Sequence, residues 1–161
     1  VIKVNYGKNT VTVIAIDQAG NSNTATKDLL VYKRVIINLT IDNPVPTING
    51  EPQAPLEAAP FISGGRTMVP IRFISEALGA EVKWEEITKG ITITLGDTVI
   101  AMQVGSTTVM VNGKSYTIDA PPVIKNGRTF VPIRFISEHL GAKVDWDEST
   151  RTVTITRDFI P

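Results

Sequence analysis

Apolar and polar residues alternate along much of the chain, broken at two places by a helical spacing of apolar positions. Thr10–Ile16 and Thr24–Tyr32 alternate as strands on either side of Asp17-Gln18-Ala19-Gly20-Asn21, a turn-rich connection. In the first of these strands Val11, Val13 and Ala15 share one face while Ile14 and Ile16 share the other, which predicts burial on both sides. Further on, Val35–Ile41, Thr98–Val104, Thr108–Val111 and Ser115–Asp119 read as strands, with Asn112-Gly113 as a tight hairpin turn. Glu51–Ala59 contains Pro52 and Pro55 and is expected to be an edge strand or a loop. The helical spacing appears at Ile71, Ile74 and Leu78, with Phe73 and Ala77 one turn apart and Arg72 and Glu76 as an i,i+4 pair. Pro70 is expected in the first helical turn and Gly79 as the left-handed C-terminal cap. A helix of roughly ten residues is too short to persist by propensity and has to be held by packing. Val82-Lys83-Trp84, a polar turn from Glu85 to Gly90, and Ile91–Leu95 complete a strand hairpin behind it.

The same pattern returns 62 residues later, counted from Gly65 to Gly127. Gly65-Arg66-Thr67-Met68-Val69-Pro70-Ile71-Arg72-Phe73-Ile74-Ser75-Glu76 is matched by Gly127-Arg128-Thr129-Phe130-Val131-Pro132-Ile133-Arg134-Phe135-Ile136-Ser137-Glu138. The match continues without a gap through Gly79/Gly141, Val82/Val144, Trp84/Trp146 and Ile91–Thr94 against Val153–Thr156. Agreement of that length marks a duplicated structural unit. The expected organisation is a terminal β-hairpin over 1–34 followed by residues 35–161, made of two repeats at 35–96 and 97–157. The fold class is α+β: a β-rich tandem repeat whose antiparallel strands curve around one short helix per repeat, with the hairpin in front.

Composition sharpens this picture. Val, Ile and Thr make up about a third of the 161 residues, in keeping with a strand-dominated chain. Sixteen Lys and Arg balance sixteen Asp and Glu, which argues against nucleic acid or an anionic membrane surface as the main partner. No apolar stretch approaches the roughly 20 residues of a membrane span, and no signal peptide remains at the start. The absence of Cys excludes disulfides, thiolate metal sites and Cys nucleophiles, and His139 has no second imidazole beside it for a multi-His metal site.

Two passages carry a resemblance to known families. Asn126–Glu138, with Leu140-Gly141-Ala142, Val144-Asp145-Trp146-Asp147 and Val153-Thr154-Ile155, resembles the copper amine oxidase N-terminal-like domain, and the first copy does so from Arg66 to Ile93. With the flanking strands the likeness covers roughly residues 35–157. It implies an accessory stalk outside any catalytic core, a sheet curved around a helix, repeated in secreted or surface-attached proteins of Gram-positive and thermophilic bacteria. It supplies no catalytic residue to carry over. Gly7–Val13 followed by Asp17–Asn21 is similar to the last hairpin of bacterial Ig-like domains, which implies a fragment of a longer extracellular polypeptide.

Each residue with chemical potential has a structural alternative. Trp84 and Trp146 could stack on sugar rings, but they share strand parity with Val82 and Val144, so core packing is expected. Tyr116 alternates with Ile118 and is read as structural too. Arg66, Arg72, Arg128 and Arg134 could grip carboxylates or phosphates; the expected role is pairing with Glu76 and Glu138 or capping loop carbonyls. Asp17, Asn21 and Asn23 could ligate calcium, yet no further acidic residue follows until Asp28, so an ordinary turn is expected. Glu85-Glu86 and Asp145, Asp147 and Glu148 lie at hairpin turns, where charge is normally solvated rather than paired for glycoside cleavage. His139 sits where the first copy has Ala77 and is expected at the surface.

The expectation is therefore a non-catalytic structural or spacer module of an extracellular or cell-surface protein, with no catalytic, metal or cofactor-binding residue and no cofactor. The alternative is a module binding cell-wall polysaccharide, another polysaccharide or a protein. Its expected partners are other domains of the same polypeptide; the further candidates are cell-wall polysaccharide and a second copy met through the N-terminal hairpin, which needs a surface to cover its apolar sides.

Overall fold

In the computed structural model, which describes residues 3–159, β1 (Gly7–Ile16) pairs antiparallel with β2 (Ser22–Val31), Gly7 opposite Val31 and Ile16 opposite Ser22. Asp17 fixes the turn between them. Its Oδ1 accepts the amides of Ala19 and Asn21, each at 2.9 Å, and its Oδ2 accepts Asn21 Nδ2 at 2.8 Å. These bonds, the Asn21 side chain first among them, hold the Asp17 carboxyl below the ordinary carboxylate range. The two-sided burial expected for β1 is not found: Val13, Ile14 and Ile16 are 60%, 58% and 68% exposed. Among the described residues, β1 and β2 form a two-stranded sheet of their own, joined by no further strand. Near the base of the hairpin Arg34 grips Asp158 through two bonds of 2.6 and 2.8 Å, and Tyr6 donates its hydroxyl to the Phe159 carbonyl at 2.6 Å.

The chain divides into two compact units, the hairpin with the stretch from Asp158, and Val35–Arg157. The second unit runs through β3 (Lys33–Thr40), β4 (Thr47–Ile48), β5 (Glu51–Pro52), β6 (Phe61–Ser63), β7 (Arg66–Pro70), α1 (Ile71–Ala77), β8 (Glu81–Glu85) and β9 (Gly90–Leu95). It then repeats that order as β10 (Thr98–Gln103), β11 (Thr108–Val111), β12 (Lys114–Thr117), β13 (Val123–Lys125), β14 (Arg128–Pro132), α2 (Ile133–His139), β15 (Lys143–Asp147) and β16 (Thr152–Phe159). The fold is β-rich and antiparallel with one short helix per repeat, as the pattern predicts. Asn112 and Gly113 both take positive φ, 49° and 79°, in the expected tight turn between β11 and β12. The proline-bearing stretch after Gly50 is a two-residue edge strand followed by loop.

The helices are seven residues each, shorter than their spacing predicts. Pro70 and Pro132 stand one position outside the first turn, at the N-cap, with ψ of 116° that keeps them in β7 and β14. The fixed φ of proline thus serves the strand-to-helix corner, and its missing N–H removes nothing from the helix. At the other end the prediction holds. Gly79 N–H donates to the Glu76 carbonyl at 2.9 Å and Ala80 N–H to that of Ser75 at 2.7 Å, a Schellman closure. Gly141 and Ala142 repeat it on Glu138 and Ser137 at 3.0 and 2.9 Å.

Pairing does not respect the repeat boundary. One sheet is ordered β12-β11-β10-β9-β8 and another β15-β16-β3-β4-β5, so the closing hairpin of each repeat lies beside the opening strands of the other. Thr40 bonds Thr152 at 2.8 Å and Thr154 bonds Asn38 at 2.7 Å, a rising number on one strand meeting a falling one on the other, so β3 and β16 are antiparallel. A third sheet, β13-β14-β7-β6, joins the copies at their centre. There Val69 faces Val131, its own counterpart, which places a local pseudo-two-fold axis between the two. Each helix rests on strands of both repeats: α1 on β8, β7 and β14, and α2 on β15, β14 and β7. Matched side chains fill the interior, Leu78 with Leu140, Ile93 with Ile155 and Ile100 with Ile37, all but fully buried. Burial of each contributes about 1.5–3 kcal/mol. Met68, Phe130, Ala58 and Ala120 form the cluster at the seam, with the Phe61 ring 5.0 Å from that of Phe130.

Candidate functional site

Two related grooves open where the start of each helix meets the turn of the opposite repeat. In the first, of about 380 Å³, Ile71 and Arg72 of α1 form one wall, Trp84 and Glu86 of the β8–β9 hairpin another, and Arg128 and Thr129 of β14 the third. In the second, of about 570 Å³, the counterparts are Ile133 and Arg134, Trp146 and Glu148, and Arg66 and Thr67. Each groove thus draws its helix and tryptophan from one copy and its facing arginine from the other.

The tryptophans correct the expectation of core packing. Trp84 is 37% exposed and Trp146 half-buried. Both lie on the predicted face with Val82 and Val144, but at the tryptophans that face opens into the grooves. Their indole N–H groups are held: Trp84 donates to Glu86 at 2.7 Å and Trp146 to Glu148 at 2.6 Å. Lys89 also pairs with Glu86 and stands 5.8 Å from the Trp84 ring centre. Lys89 first and then the Trp84 indole hold the Glu86 carboxyl below its ordinary range.

The arginines divide into two kinds. Arg72–Glu76 and Arg134–Glu138 form the expected i,i+4 pairs at 3.4 Å, at least half exposed and therefore weak. Arg134 also donates to the Val144 carbonyl at 3.2 Å. Arg66 and Arg128 do not pair with Glu76 and Glu138. Arg66 bonds Asp119, with Nε at 2.9 Å, and Arg128 bonds Glu57, so each pair crosses between repeats. Glu57 and Asp119 were not singled out by the sequence, although they are 62 positions apart and acidic in an otherwise divergent stretch, the signal that could have found them.

The remaining candidates are separate from the grooves or peripheral to them. His139 is half-buried rather than a surface residue: its ring centre is 4.2 Å from that of Phe135 and 5.2 Å from that of Tyr116, and Nδ1 donates to the Phe135 carbonyl at 2.8 Å. Tyr116 packs edge-on to Phe135 at 5.8 Å, a structural contact. Asn23 belongs to the β2 ladder opposite Ala15, and Asp28 accepts the Thr10 hydroxyl at 2.7 Å, so neither joins Asp17 and Asn21. Asp147 accepts the Ser149 hydroxyl at 2.6 Å and its amide at 2.9 Å, bonds that hold its carboxyl below the ordinary range within a solvated turn. Asp145 lies 3.3 Å from Lys143, and Glu85 accepts the Ile87 amide at 3.2 Å. Among the described residues, no three His, Asp or Glu side chains are grouped to hold a metal ion, and no helix is long and apolar enough to cross a membrane.

Comparison with known proteins meets this architecture at its repeat. The sequence profile of the copper amine oxidase N-terminal domain matches residues 2–89 and again 47–155. The chain is 35% identical over 98 residues to a protease inhibitor of Brevibacillus choshinensis, which is 60% of this chain and 30% of that protein. It is 30% identical over 78 residues to a primary amine oxidase of Klebsiella aerogenes, 48% of this chain and 10% of that enzyme. The similarity spans less than a third of either relative.

Proposed function

The chain belongs to the copper amine oxidase N-terminal domain family, and from that premise we propose that it is a non-catalytic accessory module of a secreted or cell-surface bacterial protein, a β-rich spacer beside other domains of the same polypeptide. The observation that supports this most is the doubling of structural roles. Gly79 and Gly141 close the helices alike, Arg72 and Arg134 pair within the helices alike, and Arg66 and Arg128 tie each repeat to the other alike. A side chain that does the same structural work in both copies is accounted for without chemistry. The two relatives point the same way, since one is a protease inhibitor and the other an amine oxidase while both share this region.

The test is turnover. The purified chain, supplied with copper(II) and simple primary amines, is expected to release no hydrogen peroxide above the level of copper alone; sustained, saturable release would overturn the assignment. Export is tested by brief protease treatment of intact source cells, which is expected to free peptides from 35–157; retention of all of them inside the cells would refute surface placement.

The paired grooves favour a second reading, a module that binds polysaccharide or protein. A half-exposed indole held by a hydrogen bond, with guanidinium groups on two sides, is the arrangement such a site requires.

A further inference from the structure

Three asparagines of the chain, Asn49, Asn112 and Asn126, stand before glycine. In that pair no side chain shields the following amide nitrogen, which can attack the asparagine side-chain carbonyl and close a five-membered ring. All three share one backbone setting. Each opens a two-residue turn between antiparallel strands: β4 and β5, β11 and β12, β13 and β14. Their φ angles are 51°, 49° and 51°, and those of the glycines after them 83°, 79° and 71°. A tight turn has to loosen before the ring can close, so what holds each turn sets its rate. Two of the three are held twice. Ile36 donates its N–H to Asn49 Oδ1 at 2.8 Å, and its carbonyl accepts the Asn49 N–H at 2.8 Å. Val99 does the same for Asn112, at 2.8 and 2.9 Å. The reacting carbonyl is thereby tied to a neighbouring strand.

Asn126 has no such clamp. Among the described residues neither its side chain nor its amide has a hydrogen-bond partner outside the ladder, and it is exposed. Its turn closes an edge hairpin of three residue pairs, Val123–Lys125 against Arg128–Phe130. We propose that Asn126 is the site at which this chain deamidates spontaneously. The matching turn of the first repeat has Gly64-Gly65, with φ of 57° and 74°, and carries no amide to lose. In the reaction Gly127 N bonds to Asn126 Cγ and the Cγ–Nδ2 bond breaks. Nδ2 leaves as ammonia with the proton given up by the glycine amide. Water then opens the ring at either carbonyl, giving aspartate or its β-linked isomer. Both products place a carboxylate two residues before Arg128, in a turn whose Gly127 lines the first groove. The β-linked form also lengthens the backbone of the turn by a methylene.

The intact 161-residue chain is held at mildly alkaline pH, folded in one series and unfolded in guanidinium chloride in another, and sampled by peptide mapping with mass spectrometry. In the folded chain Asn126 is expected to convert about tenfold or more faster than Asn49 or Asn112, since each of those has two hydrogen bonds to break first. In the unfolded chain the three rates are expected to converge. Asn126→Gly, which installs the residue of the first repeat, is expected to remove most of the ammonia released by the folded chain. Comparable folded rates at the three positions, or earlier conversion at Asn49 or Asn112, overturn the proposal. So does a folded chain unchanged at Asn126 over the time in which the unfolded one converts completely, or ammonia release undiminished by Asn126→Gly. A ranking that persists in guanidinium chloride overturns it as well, because the clamps are then not its cause.

Discussion

Ser75 and Ser137 are fully buried, and neither hydroxyl has a hydrogen-bond partner. An unpaired hydroxyl in a dry interior costs about 1–3 kcal/mol, and serine is a poorer helix former than alanine. Ser75→Ala and Ser137→Ala are each expected to stabilise the protein by about 1 kcal/mol, seen as a higher urea midpoint with an unchanged slope. A lower midpoint would mean that the hydroxyl is doing structural work. Their inward placement is legible in the sequence, because position 75 falls between Ile71 and Leu78 on the apolar arc. The tryptophans show where such reading ends. Strand parity gives the correct face for Trp84 and Trp146, but the groove there is completed by residues of the opposite repeat, Arg128 and Arg66 among them. The groove is therefore hidden in the sequence, although its tryptophans and arginines are conspicuous there.

Among the elements, the two helices depend on their ends more than on their length. Gly141 has φ of +78°, and a Cβ added there would come no nearer than 4.0 Å to Arg157 Nε. Space is available, so the cost of Gly141→Ala is conformational, about 1 kcal/mol. A fall in melting temperature is expected for alanine and a smaller one for Gly141→Asn, which tolerates that conformation better; equal losses would show that sterics dominate. The caps, the hairpin turns and both helices could be read locally because their signals are local. Burial of β1 could not. Its apolar residues on both faces suit covering layers, but which face a strand buries depends on what packs against it, and Ile14 and Ile16 are more than half exposed.

At the scale of the whole second unit the repeat is half of a closed exchange. β9 and β10 are joined by a turn, while their counterparts β16 and β3 lie at opposite ends of the unit's sequence. Residues 97–159 on their own are therefore expected to fold only as a symmetric dimer, with β14 paired to its own copy as Val131 now pairs with Val69, and each β16 beside the partner's β10. Sedimentation and circular dichroism over a range of concentrations check this, and a folded monomer at high dilution would refute it. The duplication is plain in the sequence, but the exchange is not, because identical strands serve equally well for pairing within a copy or between copies.

Because β3 and β16 run side by side in opposite directions, the polypeptide reaches this unit and leaves it on the same flank. In a longer protein the spacing such a unit supplies would therefore come from its thickness, since its two connections lie side by side. Tension applied from both directions would part those two strands one bond after another, like a zip, before any load crossed the seam at Val69 and Val131.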